Sequence, residues 1–246
     1  MQTNKPLFSI IIPTLNEEKI IESTLRNIYE NLSLFPYELI VADSGSSDAT
    51  VEIAKKYATV LGIEKPSGKT IAWNRNRGAE NATGDFFVFI DADVIIPNPD
   101  SFFKNAIDIF SSNEKIIAIT VKQKVFPEVA TSADNIIFGI VNFAHRFNNN
   151  FLHSGSASGE FQMIRSDAFK KLNGFQEHLA VAEDNDMFAR LAKNGRTYMS
   201  TSLFVYHTAR RPHTIGWHKV LWAWGINQLY VKLFNKSYNK EWKVIR

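Results

Sequence analysis

What most constrains this chain is an alternation. Through residues 1–95, short apolar runs of strand type are separated by stretches whose apolar residues recur at helical spacing. "FSIIIP" reads as a strand. Asn16-Glu17-Glu18 then opens a helix that runs to about Leu32, with Ile20, Ile21, Leu25 and Ile28 on one face. "YELIVADS" is a second strand, and "SSDATVEIAKKY" a second helix capped by Ser46 or Ser47. A short strand near "TVLGIE", a helix from about Lys69 to Ala82 and the strand "FFVFIDAD" complete the series. Strands joined by such helices build βαβ units, hence a mostly parallel sheet flanked by helices.

Sheets of this kind bind ligands at the carboxyl ends of their strands. Thr14, Asn16, Asp43 and Asp91 stand at those ends. The fourth strand also poses a question, because a run buried on both faces ends in two carboxylates, Asp91 and Asp93. Burying an unpaired carboxylate is costly, so a salt bridge, a metal ion or a substrate meets them. A dinucleotide is not indicated, since the turn after the first strand, "PTLNEE", has no glycine. A phosphate-cradling GxxxxGK[ST] loop is missing too: "PSGKT" at 66–70 resembles its end, but Ile63 stands where the first glycine belongs.

The second half is less regular. "KIIAITVKQKV" reads as a strand, "ADNIIFGIVNFAHRF" as an apolar helix, "EFQMIR" as a short strand, and a helix runs from near Glu183 to a stop at Gly195. At 246 residues, with no repeat or linker, one compact unit is expected. There is no cysteine, which rules out a thiolate nucleophile or a disulfide framework and fits a reducing cytoplasm. The apolar stretch that stops at Pro13 is too short for a signal peptide or a membrane span.

Charge is unevenly spread: residues 207–246 carry +7 and residues 1–206 carry −4. That basic stretch also holds four of the five tryptophans, a composition suited to an anionic partner or a membrane interface. Asn227, Gln228 and Lys232 interrupt it too much for a span. Its apolar side chains spread around the helical circle, so part of it must pack on the body or on a partner.

Taken in order, "SIIIPTLNEE", "VADSGSSDAT", "WNRNRGAENATGDFFVFIDAD", "GEFQMIRSDAFKKLNGFQE" and "AEDNDMFARLAKNG" resemble the inverting glycosyltransferases of family 2, over roughly residues 7–200. The resemblance implies the GT-A fold, a Rossmann-like, mostly parallel sheet flanked by helices. It implies a catalytic domain at 1–206, with a nucleotide-binding half to about 95 and an acceptor half from 96, and an extension at 207–246 packed on the same domain. It implies transfer of one sugar, with inversion, from a nucleoside-diphosphate donor, a UDP-sugar favoured, to a glycan or lipid-linked acceptor. Asp91 and Asp93 would be its DxD pair, holding Mg²⁺ or Mn²⁺ on the diphosphate, with His207 completing the shell. Pro13, Thr14, Asn16 and Glu17 would hold base and ribose, and Asp43 would read the base. Arg75 would touch the nucleotide or pair with a DxD carboxylate, and Arg210 or Arg211 would hold phosphate. Asp184 would be the general base.

Beside each role stands a plainer one: Asp43 and Asp48 as turn and capping residues, Asp91 as a cap with Asp93 ion-paired, Glu183-Asp184 as acids in a helix's first turn. Location in the cytoplasm is expected, with peripheral contact at the inner membrane face through the tail. Rival activities are a polyprenyl-phosphate sugar synthase, which needs no general base, and a sugar-phosphate nucleotidyltransferase, which needs no Asp184. Nucleic acid is not an expected partner; a basic tail binding it on an idle body is the non-enzymatic reading.

Overall fold

The computed structural model describes residues 5–62 and 70–239. Seven strands form one sheet in the order β3-β2-β1-β4-β6-β5-β7. They are β1 (Phe8–Thr14), β2 (Tyr37–Asp43), β3 (Thr59–Gly62), β4 (Phe86–Phe89), β5 (Ile116–Val125), β6 (Gln162–Arg165) and β7 (Arg196–His207). β1, β2, β3 and β4 run parallel, as the alternation requires. β6 runs antiparallel to both its neighbours, β4 and β5, and β7 is again parallel to β5.

Helices cover both faces: α1 (Ile21–Asn31), α2 (Thr50–Ala54), α3 (Ile71–Glu80), α4 (Pro99–Ser112), α5 (Ser132–Arg146), α6 (Ser166–Lys171) and α7 (Glu183–Ala192). A single π-helical turn, Phe147–Phe151, extends α5, and α8 (Arg210–Ile215) and α9 (Trp217–Phe234) follow β7. The period of two along β1 divides the core. Phe8, Ile10 and Ile12 pack with Leu25 of α1 and Phe103 of α4, while Ile11 faces the layer that contains Ala72 and Ala79 of α3 and Phe188 of α7. Burying each such side chain contributes about 1.5–3 kcal/mol. Gly78 lets α3 lie close on β1, since a Cβ there would meet Ile11 Cγ2 at 2.4 Å.

Several boundaries differ from the pattern. α1 begins at Ile21 because Asn16 sits in a left-handed conformation at φ 55°, outside helical geometry, and the Asn16 and Glu17 amides bond to the Ser46 and Thr50 hydroxyls at 2.7 Å each. Those two residues form a pinned loop instead of a first helical turn. α2 shrinks to five residues with Ala49 in the N-cap position, and Asp48 just before it accepts the Thr50 N–H at 3.0 Å through Oδ1; neither Ser46 nor Ser47 caps it. The ends of the expected third strand (Ile63, Glu64), the start of the next helix at Lys69, most of "PSGKT" and the basic residues 240–246 lie outside the described residues.

Candidate active site

The carboxyl ends of β1, β2 and β4 meet along one edge. At β2, Asp43 is buried and accepts four hydrogen bonds: from the Thr14 hydroxyl (2.9 Å), the Gly45 and Ser46 amides (2.9 and 2.8 Å) and the Ser46 hydroxyl (2.5 Å). These tie the loop after β1 to the loop after β2. Asn16, in a left-handed conformation at φ 55°, adds to the tie by accepting the Ser47 N–H at 2.7 Å. Asp43 therefore acts first as the brace of this edge, and a base reading it must share an oxygen already in use. Pro13, beside Ala42 in the register, continues the same edge.

Arg75 is the centre of the site. It projects from α3, is 1% exposed, and one guanidinium serves three carboxylates. Its Nη1 reaches Glu183 at 2.8 Å and Asp184 at 2.7 Å, and its Nη2 reaches Asp91 at 2.9 Å. This answers in part the question of the acids that end β4: Asp91 meets an arginine. Glu183 and Asp184 open α7, after Ala182 in a left-handed turn, where the helix dipole favours anions. Both protein hydrogen bonds to Asp184 fall on Oδ1, from Arg75 and from Gln162 Nε2 at 2.6 Å.

Asp93 lies apart from that hub. An antiparallel bridge between Ile95 and Tyr206 holds the loop after β4 against β7. That brings Asp93 to the Thr208 hydroxyl, which donates to it, and to Arg210 Nε at 3.6 Å. Arg210 also grips Glu17 at 2.9 Å, linking α8 to the loop after β1. Arg211 is adjacent, and burial, then its neighbour Arg210, push its proton affinity down to about 10. An open groove of about 520 Å³ runs beside Thr208, Arg210 and His213.

Acid exceeds base here. Burial pushes Asp91 up, opposed by Arg75 and helped by the charges of Asp93 and Asp184. Burial and then Asp184 push Glu183 up despite Arg75. Glu160 is pushed well above the usual carboxylate range by burial and then by Asp91, against a hydrogen bond with Ser158. Such crowding of hard oxygen ligands suits a divalent cation. Among the described residues no three acidic or histidine side chains converge as a ligand set, so the protein offers an open site rather than a cage. A cation sharing its shell with substrate phosphates fits that arrangement. His207 fits it less directly. Its Nδ1 accepts the Ala209 N–H at 3.3 Å, which leaves the ring proton on the buried, partnerless Nε2. Burial also lowers its proton affinity against the pull of Asp93. As a metal ligand His207 would have to give up that tautomer.

Two members of the site were not expected, Glu160 and Gln162. They enter because Gln162 pairs with Phe89 in the antiparallel register, which sets the start of β6 beside the end of β4. Gly159 makes the approach possible, since a Cβ there would sit 2.6 Å from Arg75 Nη2 and 2.9 Å from Asp91 Oδ2.

Comparison with known proteins agrees with this fold. The model of "Glycosyl transferase family 2" matches residues 9–173. The succinoglycan biosynthesis protein ExoA of Rhizobium meliloti (strain 1021) is 28% identical over 211 residues, covering 82% of this chain and 63% of its own. The chain thus spans less than two thirds of that relative. The mannosyltransferase PcManGT of Pyrobaculum calidifontis, solved with GDP-Man and Mn²⁺, superimposes with a TM-score of 0.71 at 22% identity, covering 96% of this chain and 66% of that one. S. aureus TarS 1-349, solved with UDP-GlcNAc, gives 0.63 at 24% identity, with 82% and 58% covered.

Proposed function

This chain belongs to glycosyl transferase family 2 and has the GT-A fold, and we propose that it transfers a single sugar from a nucleoside-diphosphate donor to a hydroxyl of a glycan or lipid-linked glycan, with inversion. One observation carries the reading: the Arg75 guanidinium binds Asp91 on one side and Asp184 on the other. It fixes the spacing between the carboxylate that meets the donor's diphosphate and the one that meets the acceptor.

In this reading Asp184, held through Oδ1, uses Oδ2 to take the proton of the acceptor hydroxyl. The acceptor oxygen bonds to the anomeric carbon as the bond from that carbon to the diphosphate oxygen breaks on the opposite side. One such displacement inverts the configuration, and no second carboxylate is needed as nucleophile. Asp91 and Asp93, together with diphosphate oxygens, would hold Mg²⁺ or Mn²⁺, whose charge offsets the one building on the leaving group. Arg210 and Arg211 stand at the Asp93 edge to meet the phosphates. Pro13, Thr14, Asn16, Glu17 and Asp43 form the wall for base and ribose, a UDP-sugar being the favoured donor. The division into a nucleotide half to about residue 95, an acceptor half to 206 and an extension belongs to the same proposal.

Among the described residues no helix is long and apolar enough to cross a membrane. Lipid-linked acceptors would be met by peripheral contact through α9 at the inner membrane face. The test is a thermal-shift screen of nucleoside diphosphates and nucleotide sugars with Mn²⁺, Mg²⁺ or chelator. A metal-dependent rise that disappears in Asp93→Ala supports the donor site and names its base; no rise with any nucleotide removes the proposal. Asp184→Asn should lose turnover and keep donor affinity, and retained turnover would end the base role.

A further inference from the structure

The outer face of α5 and its π-helical extension has no polar side chain along its central line. Ile136, Ile140, Phe143, Phe147 and Phe151 follow one another at helical spacing and all are exposed, Phe143 by 67% and Ile140 by 63%. Phe143 stacks on Phe147 at 6.1 Å and Phe147 on Phe151 at 6.0 Å, so the rings form one continuous ridge. The π turn keeps Phe151 in line. A contiguous apolar ridge of this length marks a contact surface.

Its surroundings indicate the partner. Between residues 132 and 152 the sole acid is Asp134, and it is buried; between 208 and 239 there is none. Arg146 lies on the ridge, its guanidinium 6.0 Å from the Phe151 ring. α8 and α9 are both fastened to the start of α5, with His213 Nε2 of α8 and Trp217 Nε1 of α9 each 2.8 Å from Asp134 and the Trp217 ring 5.3 Å from Phe138. Outward from α9 point Trp222, Leu229 and Leu233 among Lys219 and Lys232. Apolar rings bordered by cations, on two segments with no exposed acid of their own, complement an anionic bilayer surface, with side chains in the acyl boundary and charges among the headgroups. A second copy suits the surface less well, because two α9 faces would bring like charges together.

We propose that the α5–π-helix ridge is a membrane-docking surface that inserts Phe143 and Phe147 into the interface of an anionic bilayer. The inference rests on the peripheral membrane contact proposed for α9 and deepens it, by assigning the inserted residues to a different element.

The lack of cysteine makes the test clean. Phe147→Cys, in the full chain, accepts one environment-sensitive fluorophore at the ridge. The label should shift to the blue on vesicles of phosphatidylglycerol and phosphatidylcholine, and not on phosphatidylcholine alone. Phe143→Ser with Phe147→Ser should weaken flotation with the anionic vesicles roughly tenfold or more, which corresponds to about 1.4 kcal/mol, while the nucleotide-induced thermal shift is unchanged. If the serine pair does not fold, the label alone decides. Flotation with no change at the label overturns the ridge and leaves contact through α9 intact. Absence of flotation, or a lipid-free dimer that the serine pair dissociates, overturns docking on a membrane. Loss of the nucleotide shift in the unaltered chain bears on the donor reading alone.

Discussion

The edge formed by β1 and β2 and the side formed by α5 and α9 are held by different means. At the strand ends, short polar side chains bond to backbone and to each other: Asp43 to four groups, Asn16 to Ser47, Asp48 to Thr50. Little there is left for a partner to organise. On the other side, α5 and α9 meet through Asp134 and a few rings and turn large apolar residues outward, Trp222 by 71%. A strand-end edge tied together by the chain alone is ready before any ligand arrives; the α5–α9 side keeps its apolar surface for something else to cover. Arg75 stands between the two.

That contrast can be tested at its centre first. Arg75→Leu would leave Asp91, Glu183 and Asp184 without their shared partner, and loss of one member of a buried ion cluster costs about 3–5 kcal/mol. Urea unfolding measures it, and a cost near zero would show that the carboxylates need no hub. Asp43→Ala removes the brace of the β1–β2 edge, proposed above to meet the donor. It should cost about 3 kcal/mol, with nucleotide binding lost as well. Binding that survives would mean the wall is held by Asn16 and Asp48 alone.

On the α5 side, His145 is buried against the Ser156 hydroxyl at 2.6 Å, and burial pulls its proton affinity down to about 4. The unfolded ring protonates near pH 6.5, so the folded chain keeps its full margin above that value. It loses about 3 kcal/mol as pH falls from 6.5 toward 4. Comparing urea midpoints of the native chain and His145→Gln across that range isolates the effect; parallel curves would refute it. Asp134→Asn weakens the bonds to His213 and Trp217, at about 1–2 kcal/mol. Hydrogen exchange should speed up in α8 and α9 and stay unchanged in the loops after β1 and β2. The smallest effect belongs to Trp222→Ser, within about 0.5 kcal/mol of the native stability in the absence of lipid. A larger loss would show that Trp222 already packs on the body.

Much of the edge at the ends of β1, β2 and β4 was readable from residues alone, because βαβ units place their strand ends by local pattern. Thr14, Asp43 and Asp91 were assigned to one crevice on that basis, and the pairing of Arg75 with Asp91 was one of two expected outcomes. α1 starts later than the pattern indicates because Asn16 turns left-handed to bond with the loop after β2, a tertiary effect with no local sign. Glu160 and Gln162 were missed for a related reason. Nothing within "EFQMIR" tells that its strand runs against β4. The periodicity of α5 indicated apolar faces and could not say which of them the body covers.

The reversal of β6 also bears on how such enzymes can be recombined. A chimera that joined two relatives at a cut before residue 96 would separate Asp91 from Gly159, Glu160 and Gln162. Those three belong with β4 in space, although about 70 residues lie between them in the chain. A graft that carries β6 and the start of α7 along with β1–β4 keeps Arg75, Asp91, Glu183 and Asp184 from one parent; one that follows sequence order alone divides that ion cluster between two.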